Sequence, residues 1–389
     1  MTDVKRFRVL TICSWYPNDL KPTLGNFVQK HADTIALYND TVSLAIFPTT
    51  EEKQQRVTTN QRGDLFEIVI YYPKQTSGFK PLRLVKNYVA HRRAFKAGFT
   101  LVKSKIGLPE IVHLNITYPL GIWALWLKMR HKIPYVVSEN SSGFHVTSDH
   151  AYPPLILRLC KKILRNASYL LPVSENLKKN LQMLAPKAPF ALISNVVDEH
   201  LFEQKEAVQA AHKRLIHVST GVDEIKNLSG MIRVFDHLKQ ANIPVSLDIV
   251  SDGDIEYAKQ LATDLSLNDR VFFHATKSTA EVAEMMQERD ALLMFSNYEN
   301  FPCVIAEAMI CGKPVISSNV NGIPEHVFPM NGCLVNPRDE AQLTAEITAF
   351  VQGEKQFNAD EIRKYAMEHF SYSEVGKQFT AIYANVLGK

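Results

Sequence analysis

The sequence predicts an α/β protein built from two Rossmann-like units that face one another across a cleft. Three observations point there. The chain has 389 residues, more than one ordinary core accommodates. Short β-branched runs alternate with longer stretches of helical period along the whole length, as in parallel sheets with crossover helices. The pattern breaks once near the middle, around Asn195–Gln209, where EHLFEQKEAVQAAHK interrupts it.

In the first half the spacing predicts strands at Phe7–Ile12, Val42–Phe47, Ile111–Leu114, Tyr135–Ser138 and Tyr169–Val173. Helices are expected between them, for example Gly25–Tyr38 and Pro119–Arg130. In the second half the strands are Arg214–Ser219, Ser246–Val250, Val271–His274, Ala291–Phe295 and Pro314–Ser317. Helices such as Leu228–Gln240 and Thr279–Gln287 separate them. The expected division is 1–195, 196–370 and a last helix, 371–389, that packs back on the first domain. In open α/β sheets, ligands bind beyond the carboxyl ends of the strands, so the strand-to-helix loops are where chemistry is expected.

Composition excludes several classes. Apolar residues make up 46% and charged residues 22%, which is globular and not disordered. No apolar run reaches the ~18 residues of a membrane span. The start, MTDVKRFRVLTICSWYP, lacks the apolar segment of a signal peptide. Cys13, Cys160, Cys303, Cys311 and Cys333 are scattered without a CxxC pair. They read as reduced thiols of a cytoplasmic protein, with no zinc or disulfide framework. There is no P-loop, and no GxGxxG follows the first strand, which disfavours a nicotinamide-dependent oxidoreductase.

Charge is sorted by half. Residues 1–190 carry 27 Lys and Arg against 12 Asp and Glu, while residues 191–389 carry 17 against 28. Between Glu67 and Glu110 there is no acid at all, but Lys74, Lys80, Arg83, Lys86, Arg92, Arg93, Lys96, Lys103 and Lys105 occur. Leu82, Val85, Val89, Phe95, Phe99 and Val102 recur there at near-helical spacing. A basic amphipathic helix of this kind suits an anionic membrane surface, and residues 74–105 are expected to dock there, peripherally on the inner face. The plainer alternative is a core-facing helix with a solvated basic side. No nucleic-acid partner is expected.

The strongest motif is FSNYENFPCVIAEAMICGKPVISS: strand, polar loop, helix, turn, strand. Pro302 stands where the helix begins, which suits its fixed φ and missing N–H. The amides of Cys303, Val304 and Ile305 are then expected to face a phosphate, since a helix start combines unpaired donors with the positive end of the dipole. Glu307, one turn inside, suits the two hydroxyls of a ribose. Glu299, in the loop before the helix, suits hydroxyls of a sugar carried on the phosphate.

Glu299 and Glu307, in an E-x7-E arrangement followed by EAM-x-x-G-K-P-V-I, resemble the donor motif of retaining glycosyltransferases of the GT-B fold, family 4. The resemblance implies that Glu307 holds the nucleotide ribose and Glu299 the transferred sugar. It extends over nearly the whole chain. WYPNDLKPTLGNFVQKHADTIA is similar to the family's first loop and helix, with Gly25 close to donor phosphate or acceptor and Asn26 on the acceptor side. HLNITYPLGIWAL is similar to the strand and helix before the acceptor region. ISNVVDEHLF resembles the family's entry into the second domain, with Val196 in place of a glycine. SNVNGIPEHV resembles a loop closing the donor pocket, placing Gly322 near phosphate or sugar and leaving Glu325 structural. FSYSEVGKQFTAIYANVL resembles the last, returning helix.

Lys226, in HVSTGVDEIKNLSG, is expected to neutralise the leaving diphosphate. The family usually has an arginine five positions earlier, where this chain has Gly221; Ser219 or backbone amides are the expected substitutes. The family often has a histidine after the strand PYVVSE, where this chain has Asn140, preceded by Glu139. Asparagine binds a hydroxyl but is no base, and His145 is the candidate to compensate. His113, ending an apolar strand, is expected on the acceptor side, with a core histidine as the equal alternative. Asp252-Gly-Asp254 looks like a metal-binding DxD but follows a strand, where a turn requires Asp and Gly. No metal or other cofactor is expected beyond the nucleotide-sugar substrate.

The reaction implied is transfer of a sugar from a nucleoside diphosphate to an acceptor hydroxyl, with retention. The acceptor fits a lipid-linked or polysaccharide intermediate in surface-glycan assembly. The other readings are a sugar-nucleotide epimerase of the same fold and a non-catalytic binder.

Overall fold

The computed structural model describes residues 6–144, 152–205 and 212–389. The chain divides into two compact units, Met1–Ser194 with Val375–Lys389, and Asn195–Glu374. Each is an α/β unit with its own sheet.

The first unit contains β1 (Arg8–Cys13), α1 (Asn26–Tyr38), β2 (Asp40–Thr49), β3 (Arg56–Arg62), β4 (Leu65–Pro73), α2 (Lys80–Ile106) and β5 (Ile111–Asn115). It continues through α3 (Gly121–His131), β6 (Tyr135–Glu139), α4 (Pro154–Asn166), β7 (Tyr169–Pro172) and α5 (Glu175–Leu184). The sheet order is β3-β4-β2-β1-β5-β6-β7. All pairings are parallel except β3 with β4. The hairpin β3–β4 was not expected from sequence. Its outer strand, RVTTNQR, is polar and exposed along most of its length, so it carries no apolar alternation.

The second unit contains β8 (Lys213–Ser219), α6 (Asp223–Lys226), α7 (Leu228–Gln240), β9 (Val245–Ser251), α8 (Glu256–Asp264), β10 (Val271–His274) and α9 (Thr279–Glu288). Then come β11 (Ala291–Met294), α10 (Cys303–Ile310), β12 (Val315–Ser318), β13 (Gly332–Val335), α11 (Glu340–Val351) and α12 (Ala359–Phe370). The order β10-β9-β8-β11-β12-β13 is parallel throughout. The four-residue β13 also escaped the sequence pattern. The last helix, α13 (Tyr372–Leu387), begins in this unit, and from Val375 onward it belongs to the first.

Buried side chains cover both faces of each sheet. Leu10, Val42, Phe95, Val112, Trp123 and Ile163 pack in the first unit. Leu247, Phe235 and Leu293 lie in one core of the second unit, and Ile216, Ile305 and Met294 in another. Each such side chain contributes roughly 1.5–3 kcal/mol relative to exposure. In both sheets the strand order reverses beside the first strand, between β1 and β5 and between β8 and β11. That is the crevice where ligands of doubly wound sheets bind.

Candidate active site

In the second unit the loops leaving β8 and β11 meet at that reversal. The β8 loop runs through Gly221 into the single turn α6, which ends at Lys226. The β11 loop runs from Phe295 to Pro302 and enters α10. Asn297 joins them: its N–H donates to Ile225 O at 2.7 Å and its Nδ2 to Glu224 O at 3.0 Å. Arg338, after β13, donates from Nε to Asn297 Oδ1 at 3.0 Å. Neither Asn297 nor Arg338 was singled out from the sequence. An asparagine in a polar loop is an ordinary turn residue until its partners are known.

Across this junction Lys226 Nζ lies 2.5 Å from Glu299 Oε1, and Ser296 Oγ donates to the same oxygen at 2.9 Å. Both charged side chains are largely buried, at 15% and 9% exposure. Two residues expected to act on one donor are thus held together. Glu307, 6% exposed, lies on α10 itself. Pro302 is the cap residue of α10, in extended conformation, with no side-chain cap and no acid in the first turn. Of the three amides expected to face a phosphate, that of Ile305 is already engaged, donating to Pro302 O at 3.1 Å, and its side chain is fully buried. Cys303 and Val304 are the first two residues of α10.

Ser219 is engaged locally. His217 Nδ1 lies 2.9 Å from Leu293 O, so it carries the proton there, and Nε2 accepts from Ser219 Oγ at 2.7 Å. Ser219 Oγ in turn accepts from Gly221 N–H at 3.1 Å. Burial lowers His217 to a pKa of about 4, with Lys226 adding to the effect, so the ring is neutral. Gly221 adopts φ +72, and a Cβ there would stand 2.3 Å from Ile255 Cγ2 and 2.7 Å from Ser251 Oγ. The position that usually carries arginine has no room for a side chain. Gly322 lies after β12, leading into the short turn Ile323–Glu325. Asp252 and Asp254 line a cavity of about 430 Å3 at the ends of β9 and β10. Asp254 Oδ1 accepts from Glu256 N–H at 3.1 Å, a local cap at the start of α8.

In the first unit Gly25 caps α1 at φ +70, and a Cβ would stand 2.7 Å from the carbonyl carbon of Trp15. Only glycine lets the helix start lie against the preceding loop. Asn26 follows, exposed. The hairpin missed in sequence holds this loop: Tyr16 OH donates to Glu67 Oε1 at 2.5 Å, and Tyr71 OH accepts from Asp19 N–H at 2.9 Å. Asn140 is half-buried at the end of β6. Glu139, fully buried, accepts four bonds there. Two come from the amide and hydroxyl of Thr117, at 2.9 and 2.6 Å, and two from the amides of Asn140 and Ser141, at 3.1 and 2.9 Å. It fixes the loops after β5 and β6, a role that sequence reading did not assign to it.

His113 does not open to a ligand. It is fully buried, with Nδ1 2.5 Å from Tyr383 OH of α13 and Nε2 2.8 Å from Ser138 Oγ. Burial pushes its pKa well below the usual value. The acceptor-side expectation gives way to the core alternative, because β5 is covered on both faces. His145 lies outside the described residues.

Comparison with known proteins adds to this geometry. The family model described as Glycosyl transferases group 1 matches residues 199–369, and that described as Glycosyltransferase Family 4 matches residues 50–201. N-acetyl-alpha-D-glucosaminyl L-malate synthase of Bacillus anthracis is 24% identical over 72% of this chain and 75% of its own length. A putative teichuronic acid biosynthesis glycosyltransferase, TuaC of Bacillus subtilis, is 21% identical over 96% and 95%. Among solved structures, sucrose-phosphate synthase of Thermosynechococcus elongatus superposes with a TM-score of 0.77 at 19% identity, covering 99% of this chain and all of that one. Anabaena HepE, solved with UDP and glucose, gives 0.71 at 16% identity, covering 97% of this chain and all of that one. These two likenesses speak for the fold.

Proposed function

We propose that this chain, which belongs to family 4 of the GT-B glycosyltransferases and is an enzyme of that class, transfers a sugar, with retention, from a nucleoside-diphosphate donor to a hydroxyl of a lipid-linked or polysaccharide intermediate in surface-glycan assembly. The observation that carries the reading is the Lys226–Glu299 pair, set at the β8–β11 crevice beside the start of α10. A diphosphate seated on the Cys303 and Val304 amides draws Lys226 to itself, and Glu299 is released to the sugar hydroxyls. Glu307 takes the ribose. The bond from the sugar's anomeric carbon to the leaving phosphate breaks, the acceptor oxygen attacks the same face, and the leaving phosphate takes the acceptor proton. Asn140, which has no basic group, orients a hydroxyl. The reading invokes no metal, since Lys226 and the helix start carry the charge. Relatives named for teichuronic and colanic acid biosynthesis support a surface-glycan acceptor.

The basic helix supports a lipid-linked acceptor. On α2, Phe95, Phe99 and Val102 are buried, while Phe79 before it and Leu82, Leu84, Val85 and Tyr88 in its first turns are 53–75% exposed. Those apolar side chains are interleaved with Lys80, Arg83 and Lys86 and face no acid on the helix, a combination suited to an anionic bilayer at the cytoplasmic face. No helix among the described residues is long and apolar enough to cross a membrane.

The test is a nucleotide-sugar panel screened by thermal shift. The stabilising donor is then incubated with a lipid-diphosphate acceptor, and products are weighed by mass spectrometry. Transfer to the acceptor supports the reading. An isomerised sugar nucleotide formed without acceptor makes the protein an epimerase instead.

A further inference from the structure

The chain enters the second unit between Ser194 and Asn195 and leaves it between Glu374 and Val375. Asn195, 4% exposed, donates from Nδ2 to the carbonyl of Phe301 at 2.8 Å. Phe301 immediately precedes Pro302, so this carbonyl belongs to the peptide that leads into the cap residue of α10. Two residues further on, Val197 N–H donates to Phe370 O at 2.8 Å, and Val197 and Ser371 form a parallel bridge. Glu199 Oε2 accepts from Tyr372 N–H at 2.9 Å. The entering and leaving segments are therefore bonded side by side. The Phe370 ring lies 5.3 Å from that of Phe301, centroid to centroid. Both passages touch Phe301, one through a side-chain amide and the other through a ring.

We infer that Asn195 is a positioning residue that couples the donor loop to both passages of the chain between the units. The inference rests on the donor-site reading above. Phe301 is 2% exposed, and a residue before proline is confined to extended backbone. It has little freedom to absorb a shift of the loop when Glu299 parts from Lys226. The displacement passes to whatever is bonded to Phe301. Without Nδ2, the Phe301 carbonyl loses a buried donor; with aspartate in its place, two acceptors face each other.

Hydrogen exchange followed by mass spectrometry on the full chain tests this, comparing the unaltered protein with Asn195→Asp and Asn195→Ala, empty and with UDP or GDP as probes. In the empty protein both variants should exchange tenfold or more faster at 300–304 and also at 371–373, with β9 and β10 unchanged. Faster exchange confined to 195–197 would overturn the coupling. With nucleotide, protection in the unaltered protein should reach Val197 and Tyr372 as well as α10, and in Asn195→Asp should remain at α10 but vanish at Tyr372. Protection at α10 alone in the unaltered protein also overturns the coupling while the donor site stands. No protection at α10 with either nucleotide counts against the donor-site reading, and the empty-protein comparison then decides the coupling by itself.

Discussion

Lys226 Nζ and Glu299 Oε1 stand 2.5 Å apart, from loops that follow different strands, so the two charged groups neutralise one another. The pair keeps a mostly buried lysine from standing alone, and in the proposed reaction it opens to a diphosphate. Losing the cation removes transition-state stabilisation, so Lys226→Met should lower kcat by roughly two to three orders of magnitude. Nucleotide affinity should fall by less than tenfold, because the α10 amides and Glu307 remain. Glu307→Ala should do the reverse, weakening nucleotide binding first. Steady-state kinetics with calorimetric titration of the nucleotide separates the two patterns; equal effects on both constants in both variants would refute the division of roles.

Restoring the family's usual arginine should not help. At Gly221 any Cβ meets Ile255 and Ser251 at less than contact distance, and φ is +72. Gly221→Arg should destabilise the protein by about 1–3 kcal/mol, combining overpacking with backbone strain. Gly221→Ala should show most of that cost. Chemical denaturation measures both, and a Gly221→Arg variant with unchanged midpoint and faster turnover would show that the loop accommodates the side chain.

Acid should unfold the protein through its buried histidines. His31, His217 and His326 are each lowered to about 4, chiefly by burial, and burial also holds His113 well below its usual value. A group whose native pKa lies below its unfolded value takes up protons on unfolding. Its contribution is therefore full above about pH 6.5 and lost as pH falls toward 4. The free energy of unfolding should fall steeply over that window. His326 packs 4.5 Å from the Phe301 ring, centroid to centroid, and bonds the Tyr365 hydroxyl. His326→Phe should remove one titrating group and flatten the fall; an unchanged pH slope in that variant would exclude His326 as a contributor.

The alternation of strand and helix was legible because most strands here are short apolar runs between helices of clear period. Arg56–Arg62 is a polar edge strand, and Gly332–Val335 follows β12 with only the short turn Ile323–Glu325 between them, so no helical stretch marks it off. Leu65–Pro73 is apolar and went unread with its polar partner. The proline, the two glutamates and the lysine of the donor region are visible as residue types in strand-to-loop positions. That Lys226 meets Glu299 depends on strand order, which a linear pattern does not carry. Strands buried on both faces hide orientation too, which is why His113 read equally well as a ligand or a core residue. Glu139, Asn195 and Asn297 act through bonds to backbone groups far away in sequence, and no local pattern marks those.

The first turns of α2 give the last prediction. Leu82, Leu84, Val85 and Tyr88 are exposed on a helix without acids, while its later turns are anchored through Phe95 and Phe99. Apolar insertion and charge attraction should then contribute separately to binding of anionic vesicles. Replacing Lys80, Arg83 and Lys86 by Gln should cost about 1 kcal/mol per charge, some hundredfold in all, and should remove most of the salt dependence. Replacing Leu82 and Val85 by Ser should weaken binding while leaving the salt dependence intact. Because these side chains are exposed, apart from the half-buried Arg83, which donates to Thr76 O at 2.7 Å, neither set should move the melting temperature by more than a few degrees. Vesicle co-sedimentation across a salt series checks it. Equal binding by all three proteins would leave α2 a solvated helix, and the lipid-linked acceptor would lose its main support.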